Sequence, residues 1–252
     1  MLRNARWILA LLLLATPAHA DGTISLTWDG CVGPVVKSLA PGDKISLYAS
    51  VIGQTALYEA HAVDVMVATS CPGSVAGGGG LGPLPDAWRF ENGGCQNPSS
   101  TSPYLTIDQY PPPELAATCP AFQQGSEPSV QVKGFTYDAA TGMGRLRCWS
   151  AYPSHPIASV NPATRYHLAR FVIDQTKGGV GPSVPGSTCG GLETPLCLSL
   201  GYIAWLDLQG SEFGWTIGNQ CVTVNDPTNS TKCAGATAVR AATWGSLKAQ
   251  YR

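Results

Sequence analysis

Short runs in which apolar and polar residues alternate recur along most of the chain, separated by Gly, Pro, Asn and Asp. A period of two places the apolar members of each run on one face of a β-strand. Ile24, Leu26 and Trp28 alternate with Thr23, Ser25 and Thr27, and Ile45, Leu47, Ala49 and Val51 repeat the pattern after the turn signal Pro41-Gly42-Asp43. Val63, Val65 and Val67 form a third run with Asp64 on the opposite face. Cys71 to Pro85, with Gly77-Gly78-Gly79-Gly80 and three prolines, reads as a loop. Trp88 and Phe90 restart the alternation, Leu105 and Ile107 continue it, and Pro111-Pro112-Pro113 ends it. Val130 and Val132, then Leu146 and Cys148, predict a hairpin turning near Ala140-Thr141-Gly142. Tyr166 to Ile173 is apolar on both faces, as is Leu198 to Leu208, which predicts central strands. Phe213, Trp215 and Ile217 form a last run, with Cys221 to Val224 extending it or pairing with it.

Helical pattern is confined to two stretches. Ala56–Ala62 is short and ambiguous, and the tail from residue 241 to residue 252 places Trp244, Leu247 and Tyr251 along one side. About nine or ten strands with almost no helix predict an all-β, two-sheet antiparallel sandwich.

The N-terminus carries a different signal. Arg3 and Arg6 precede an apolar run from Trp7 to Ala15, and Ala18-His19-Ala20 is a small-x-small cleavage site, so residues 1–20 read as an export leader. The expected organisation is a leader over 1–20, one sandwich domain over 21–240 and a helical tail over 241–252. Loss of the leader lowers the 15 basic residues to 13, against 16 acidic. The remaining lysines are scattered, which argues against nucleic acid, and no second apolar run has spanning length. The 29 glycines, 20 prolines and a charged share of only 12% fit a turn-rich exported β-protein.

All nine cysteines lie beyond the leader, where an oxidising compartment favours cross-links. By spacing, Cys189 with Cys197 and Cys221 with Cys233 each close a local loop, and Cys95 with Cys119 clamps the proline-rich segment. Such local loops stabilise by roughly 2–3 kcal/mol on a chain-entropy basis. Cys31, Cys71 and Cys148 stay unassigned, and at least one is unpaired in a monomer, either as a buried inert thiol or as an intermolecular cross-link. No two cysteines stand close enough for a zinc knuckle, so no metal or other cofactor is indicated.

Catalytic patterns are equally scarce. Beyond the leader only His61, His155 and His167 remain, no H-E-x-x-H pair exists, and Gly73-Ser74-Val75 is out of register for a nucleophile elbow. His61 and Asp64 point to opposite faces of a strand, and His167 sits in the most apolar strand as a core or sheet-face residue. Gly77, Gly79 and Gly82 match G-x-G-x-x-G but run into Pro83 and Pro85 rather than into a helix. Asp64, Asp108 and Asp207 are isolated acids with no preferred pairing, and Asn225, Asp226 and Asn229 read as a polar turn ahead of a calcium loop. Aromatic residues are the strongest binding signal: Trp149 with Tyr152, and Phe213 with Trp215, offer flat apolar faces to a sugar ring, although core filling competes for them.

Four segments carry a resemblance: Ile24-Ser25-Leu26-Thr27-Trp28-Asp29-Gly30-Cys31, Trp88-Arg89-Phe90 with Gly93-Gly94-Cys95, Pro195-Leu196-Cys197-Leu198-Ser199-Leu200, and the terminal Thr243-Trp244-Gly245-Ser246-Leu247-Lys248 running to Tyr251-Arg252. Together they resemble a family of uncharacterised exported bacterial proteins of environmental phyla. The resemblance implies secretion and an immunoglobulin-like or cohesin-like sandwich. In that family a cysteine commonly stands in the segment that here reads Lys37-Ser38-Leu39-Ala40-Pro41, so the resemblance implies that Cys31 lacks that partner. It implies no activity.

These observations converge on a secreted, non-catalytic structural or adhesion protein of the cell surface, self-assembling in one version. A carbohydrate-binding module and a hydrolase with a site composed from distant loops are the alternatives.

Overall fold

The computed structural model describes residues 20–53, 60–71, 82–97, 103–121, 130–151, 160–206, 214–217 and 221–226. Among these residues, eleven strands run in order: β1 (Ala20–Trp28), β2 (Val36–Lys37), β3 (Lys44–Ile52), β4 (Ala60–Ala68), β5 (Leu105–Asp108), β6 (Val130–Asp138), β7 (Met143–Ala151), β8 (Tyr166–Asp174), β9 (Leu196–Leu206), β10 (Gly214–Ile217) and β11 (Cys221–Val224). They form two sheets, ordered β10-β1-β3-β8-β5 (sheet A) and β2-β11-β9-β4-β7-β6 (sheet B). Pairing is antiparallel except at β1–β10 and β2–β11, where the chain returns in parallel.

The inner faces meet as the alternation predicts. Ile24, Leu26 and Trp28 of β1 and Leu47, Ala49 and Val51 of β3 are fully buried against Val63, Val65 and Val67 of β4 and Leu146 of β7. β8 and β9 each lie between two partners, as their two-sided apolar character requires. The β6–β7 hairpin turns at Asp138–Met143, where Gly142 supplies a positive φ of 69° and the Asp138 carboxylate accepts from the Ala140 amide and the Thr141 hydroxyl.

Three expectations change. Trp88 and Phe90 belong to no strand. Trp88 ends a 3₁₀ turn, Asp86–Trp88, and both rings plug one end of the sandwich together with Leu84 and Leu192. Residues 60–62 of the ambiguous stretch are strand β4. β10 and β11 do not pair with each other: one joins sheet A and the other sheet B. The leader up to residue 19 and the tail 241–252 lie outside the described residues, and β1 begins at Ala20.

The plugged end is a polar lock beneath an apolar one. Gln96 donates to Gln175 Oε1 at 3.0 Å and to the Ala87 carbonyl at 3.1 Å, while Gln175 donates to the same carbonyl at 3.2 Å. Both amides are fully buried, so these bonds replace water that neither can reach.

The cross-links differ from the local loops. The structure pairs Cys31 with Cys119, Cys71 with Cys197 and Cys95 with Cys189, spanning 88, 126 and 94 residues. Cys189 and Cys197 are not partners, because Cys189 lies in the plug while Cys197 faces outward from β9, beside the end of β4. Cys95 and Cys119 are not partners either. Cys95 is in the plug, whereas Cys119 lies on a strap, residues 110–121, across the outer face of sheet A. Cys31 has a partner after all, from that strap rather than from the Lys37–Pro41 segment. Cys221 is disulfide-bonded, with its sulfur close to those of Cys71 and Cys197. Cys233, its expected partner, lies outside the described residues.

Candidate functional site

The outer face of sheet B is covered at its β11 side, where Cys197, Cys221 and Thr223 are buried, and carries a polar and aromatic group on β4 and β7. Strand alternation sends Arg145, Arg147 and Trp149 of β7 and Ala62, Asp64 and Met66 of β4 to that face, and cross-strand register aligns them in rows. The central row runs Gly134, Arg147, Asp64, Tyr202 over four strands. Asp64 is only 8% exposed although it faces outward. Arg147 Nε stands 3.4 Å and Arg145 Nη1 3.7 Å from its Oδ2. Burial raises the Asp64 pKa, and the two guanidinium groups pull it back toward the charged form.

Around this ion cluster the face is aromatic and uneven. Trp149 and Tyr202, both half-buried, pack against Ala62. A side chain at Gly134 would meet nothing within 4 Å, so a bare depression borders Arg147. Met66 covers Gly201 on the other side, where a β-bulge after Asp64 shifts the register of β9. The result is a fixed carboxylate between two guanidinium groups, flanked by two aromatic rings: a surface suited to planar polar groups joined to apolar faces.

Of the aromatic residues singled out in the sequence, Trp149 is on this face. Trp215 is in β10, the edge strand of the other sheet, and Tyr152 and Phe213 lie outside the described residues. Sequence reasoning missed Arg145, Arg147 and Tyr202. The arginines share the two-residue spacing that carries Trp149, so the signal was present, whereas Tyr202 follows an irregular register at Gly201 that alternation does not reveal.

A second polar region lies inside the sandwich, at the end away from the plug. His61 faces inward and its Nε2 donates to the Leu168 carbonyl at 3.2 Å, while Asp64 faces out, so the two are not a pair. Burial lowers the His61 pKa to about 4. Cys148, the free thiol among the described residues, is fully buried on the same inner face, and burial pushes its pKa to about 12. Ser150 between them donates to Gln109 Oε1 at 3.0 Å. A thiol and an imidazole both held neutral cannot form a thiolate–imidazolium nucleophile.

The outer face of sheet A is closed. The strap brings Cys119 onto it, Pro120 accepts from the His167 amide at 2.8 Å, and Leu115 packs on Tyr48 and Cys31. Ser50 and His167 are consequently buried on what would be the solvent side, and Ser50 donates to the Cys31 carbonyl. An open groove of about 570 Å³ lies beside the strap, between Pro111–Pro113 and Lys133. Its Arg170 is already bound to Asp108, at 2.5 and 3.2 Å from one carboxylate oxygen. Asn225, considered for a calcium turn, instead accepts from the Leu39 amide and donates to the Leu192 carbonyl, which ties β11 to two loops.

No family model and no curated protein matches the chain. Among solved structures it is similar to cohesins. The sixth cohesin of Acetivibrio cellulolyticus scaffoldin B, solved in complex with a Cel5 dockerin mutant, is 10% identical over 82% of this chain and 99% of that one, with a TM-score of 0.38. The second type II cohesin module of the ScaA scaffoldin from the same organism is 9% identical, over 82% and 97%, with a TM-score of 0.41. A non-cellulosomal cohesin of Archaeoglobus fulgidus is 8% identical, over 83% and 96%, with a TM-score of 0.29. At these identities and TM-scores the likenesses carry no functional information.

Proposed function

We propose that this is an exported, non-catalytic adhesion module that holds an extracellular partner on the outer face of sheet B. The observation that carries the reading is the row Gly134–Arg147–Asp64–Tyr202 with Arg145 and Trp149 beside it. A buried carboxylate on an outward face, its pKa raised by burial against the pull of two arginines, is costly to maintain for a purely structural strand. Its cost is offset where a partner uses the geometry. Three disulfides suit an oxidising compartment, and the neutral, buried His61 and Cys148 count against chemistry inside the sandwich.

A glycan is the second reading, favoured by Trp149 and Tyr202 packed about Ala62 beside the Asp64–arginine cluster. Screening the chain against surface proteins and polysaccharides of its own environment distinguishes the two. In either case Arg147→Ala combined with Trp149→Ala is expected to weaken binding at least about 100-fold, the effect of removing two interface anchors, with a far-UV spectrum unchanged. Undiminished binding by that variant refutes the assignment to this face.

A further inference from the structure

Beneath the strap, three side chains from separate parts of the chain converge: Cys31 after β1, Cys119 on the strap and His167 on β8. One ligand atom from each lies within 4.8 Å of the other two. They are 4%, 1% and 1% exposed. His167 is the unexplained member. Its ring nitrogens make no well-formed hydrogen bond, the Asp108 backbone of β5 interacting with the imidazole only loosely, and the ring sits edge-on to Tyr48 at 5.8 Å.

We propose that in the reduced chain Cys31, Cys119 and His167 form a binding site for a thiophilic divalent cation of the zinc type, and that oxidation to the Cys31–Cys119 disulfide expels the ion. The ligand set is two thiolates and one imidazole, which leaves a fourth, tetrahedral position for water. Ligands about 2.0–2.3 Å from zinc lie roughly 3.5–4 Å apart, so from separations within 4.8 Å a small closing movement brings the nitrogen into range. The sulfurs separate when their bond is broken. The balance is simple: a dithiol reductant gives two electrons and two protons to the Cys31–Cys119 bond and is itself left as a disulfide. The two thiols then release two protons as the cation binds them with the neutral imidazole. A disulfide oxidant reverses the sequence by thiol exchange. The sequence pattern gave no hint of this site because its ligands share no local spacing.

The test is zinc-dependent stabilisation of the whole exported chain kept fully reduced without oxygen. Wild type is expected to melt at a higher temperature with zinc than with a chelator, and His167→Ala to lose zinc affinity by more than about 100-fold, beyond the loss from a supporting residue. His167→Cys restores a three-ligand set and is expected to recover the stabilisation. The sulfurs of Cys71, Cys197 and Cys221 are unchanged in all three proteins, so any binding there cancels. Equal zinc stabilisation in wild type and His167→Ala overturns the proposal, as does its absence in wild type.

Discussion

His61 shows how one inward polar residue sets an acid limit for the fold. Its pKa falls from 6.5 to about 4 on burial, against the small opposing effect of the hydrogen bond to Leu168. A depressed histidine contributes stability that is complete above the unfolded pKa and is lost as pH drops from 6.5 toward 4, a loss on the order of 3 kcal/mol. His167, lowered to about 3 chiefly by burial, lies beneath the strap on the other face of sheet A and acts with the same sign. Denaturation midpoints measured from pH 7 to pH 4 are expected to fall steeply for wild type and less steeply for His61→Gln. Parallel slopes would mean that His61 is not buried neutral. Cys148 makes the companion case. Its thiol is enclosed and protonated, so an alkylating reagent is expected to leave the native chain unmodified at that position and to label it only under denaturant, as read by peptide mass spectrometry. Between the two fates that the sequence left open for an odd thiol, burial supports the inert one. What spacing could not supply was partner choice: Cys189 and Cys197 are eight positions apart, yet they point into different layers.

Elements with strict alternation were legible because one buried face leaves a single workable register. β1, β3, β4 and β7 follow their predicted faces, and the β6–β7 turn falls on the expected glycine. Trp88 and Phe90 misled for a physical reason: two rings filling the open end of a sandwich need only be spaced apart, and a spacing of two is shared by a strand. The split of β10 and β11 between layers was invisible because a short polar link suits a crossing as well as a hairpin. The turn after β1 supplies a sharp test at this scale. A Cβ on Gly33 would stand 1.8 Å from the Trp28 carbonyl oxygen, which is backbone and cannot move aside. Gly33→Ala is expected to cost about 2–4 kcal/mol, at the severe end for a single methyl, and chemical denaturation with unchanged m-value is the measurement. A loss below 1 kcal/mol would place the Gly33 backbone elsewhere.

Across the whole molecule the sandwich rests on rings closed far apart in sequence. The bridge between Cys71 and Cys197 encloses 126 residues of separation, including β5 to β8. In the proposed role of holding an extracellular partner, this matters under load. When the chain is pulled through β1 and β11, everything inside the ring is shielded from the force. At about 3.5 Å per extended residue, roughly 440 Å of contour stays folded away. Single-molecule stretching is expected to show that hidden length only after a reducing agent is added, which would make the redox state of the surroundings the setting on how far the chain can lengthen before it lets go.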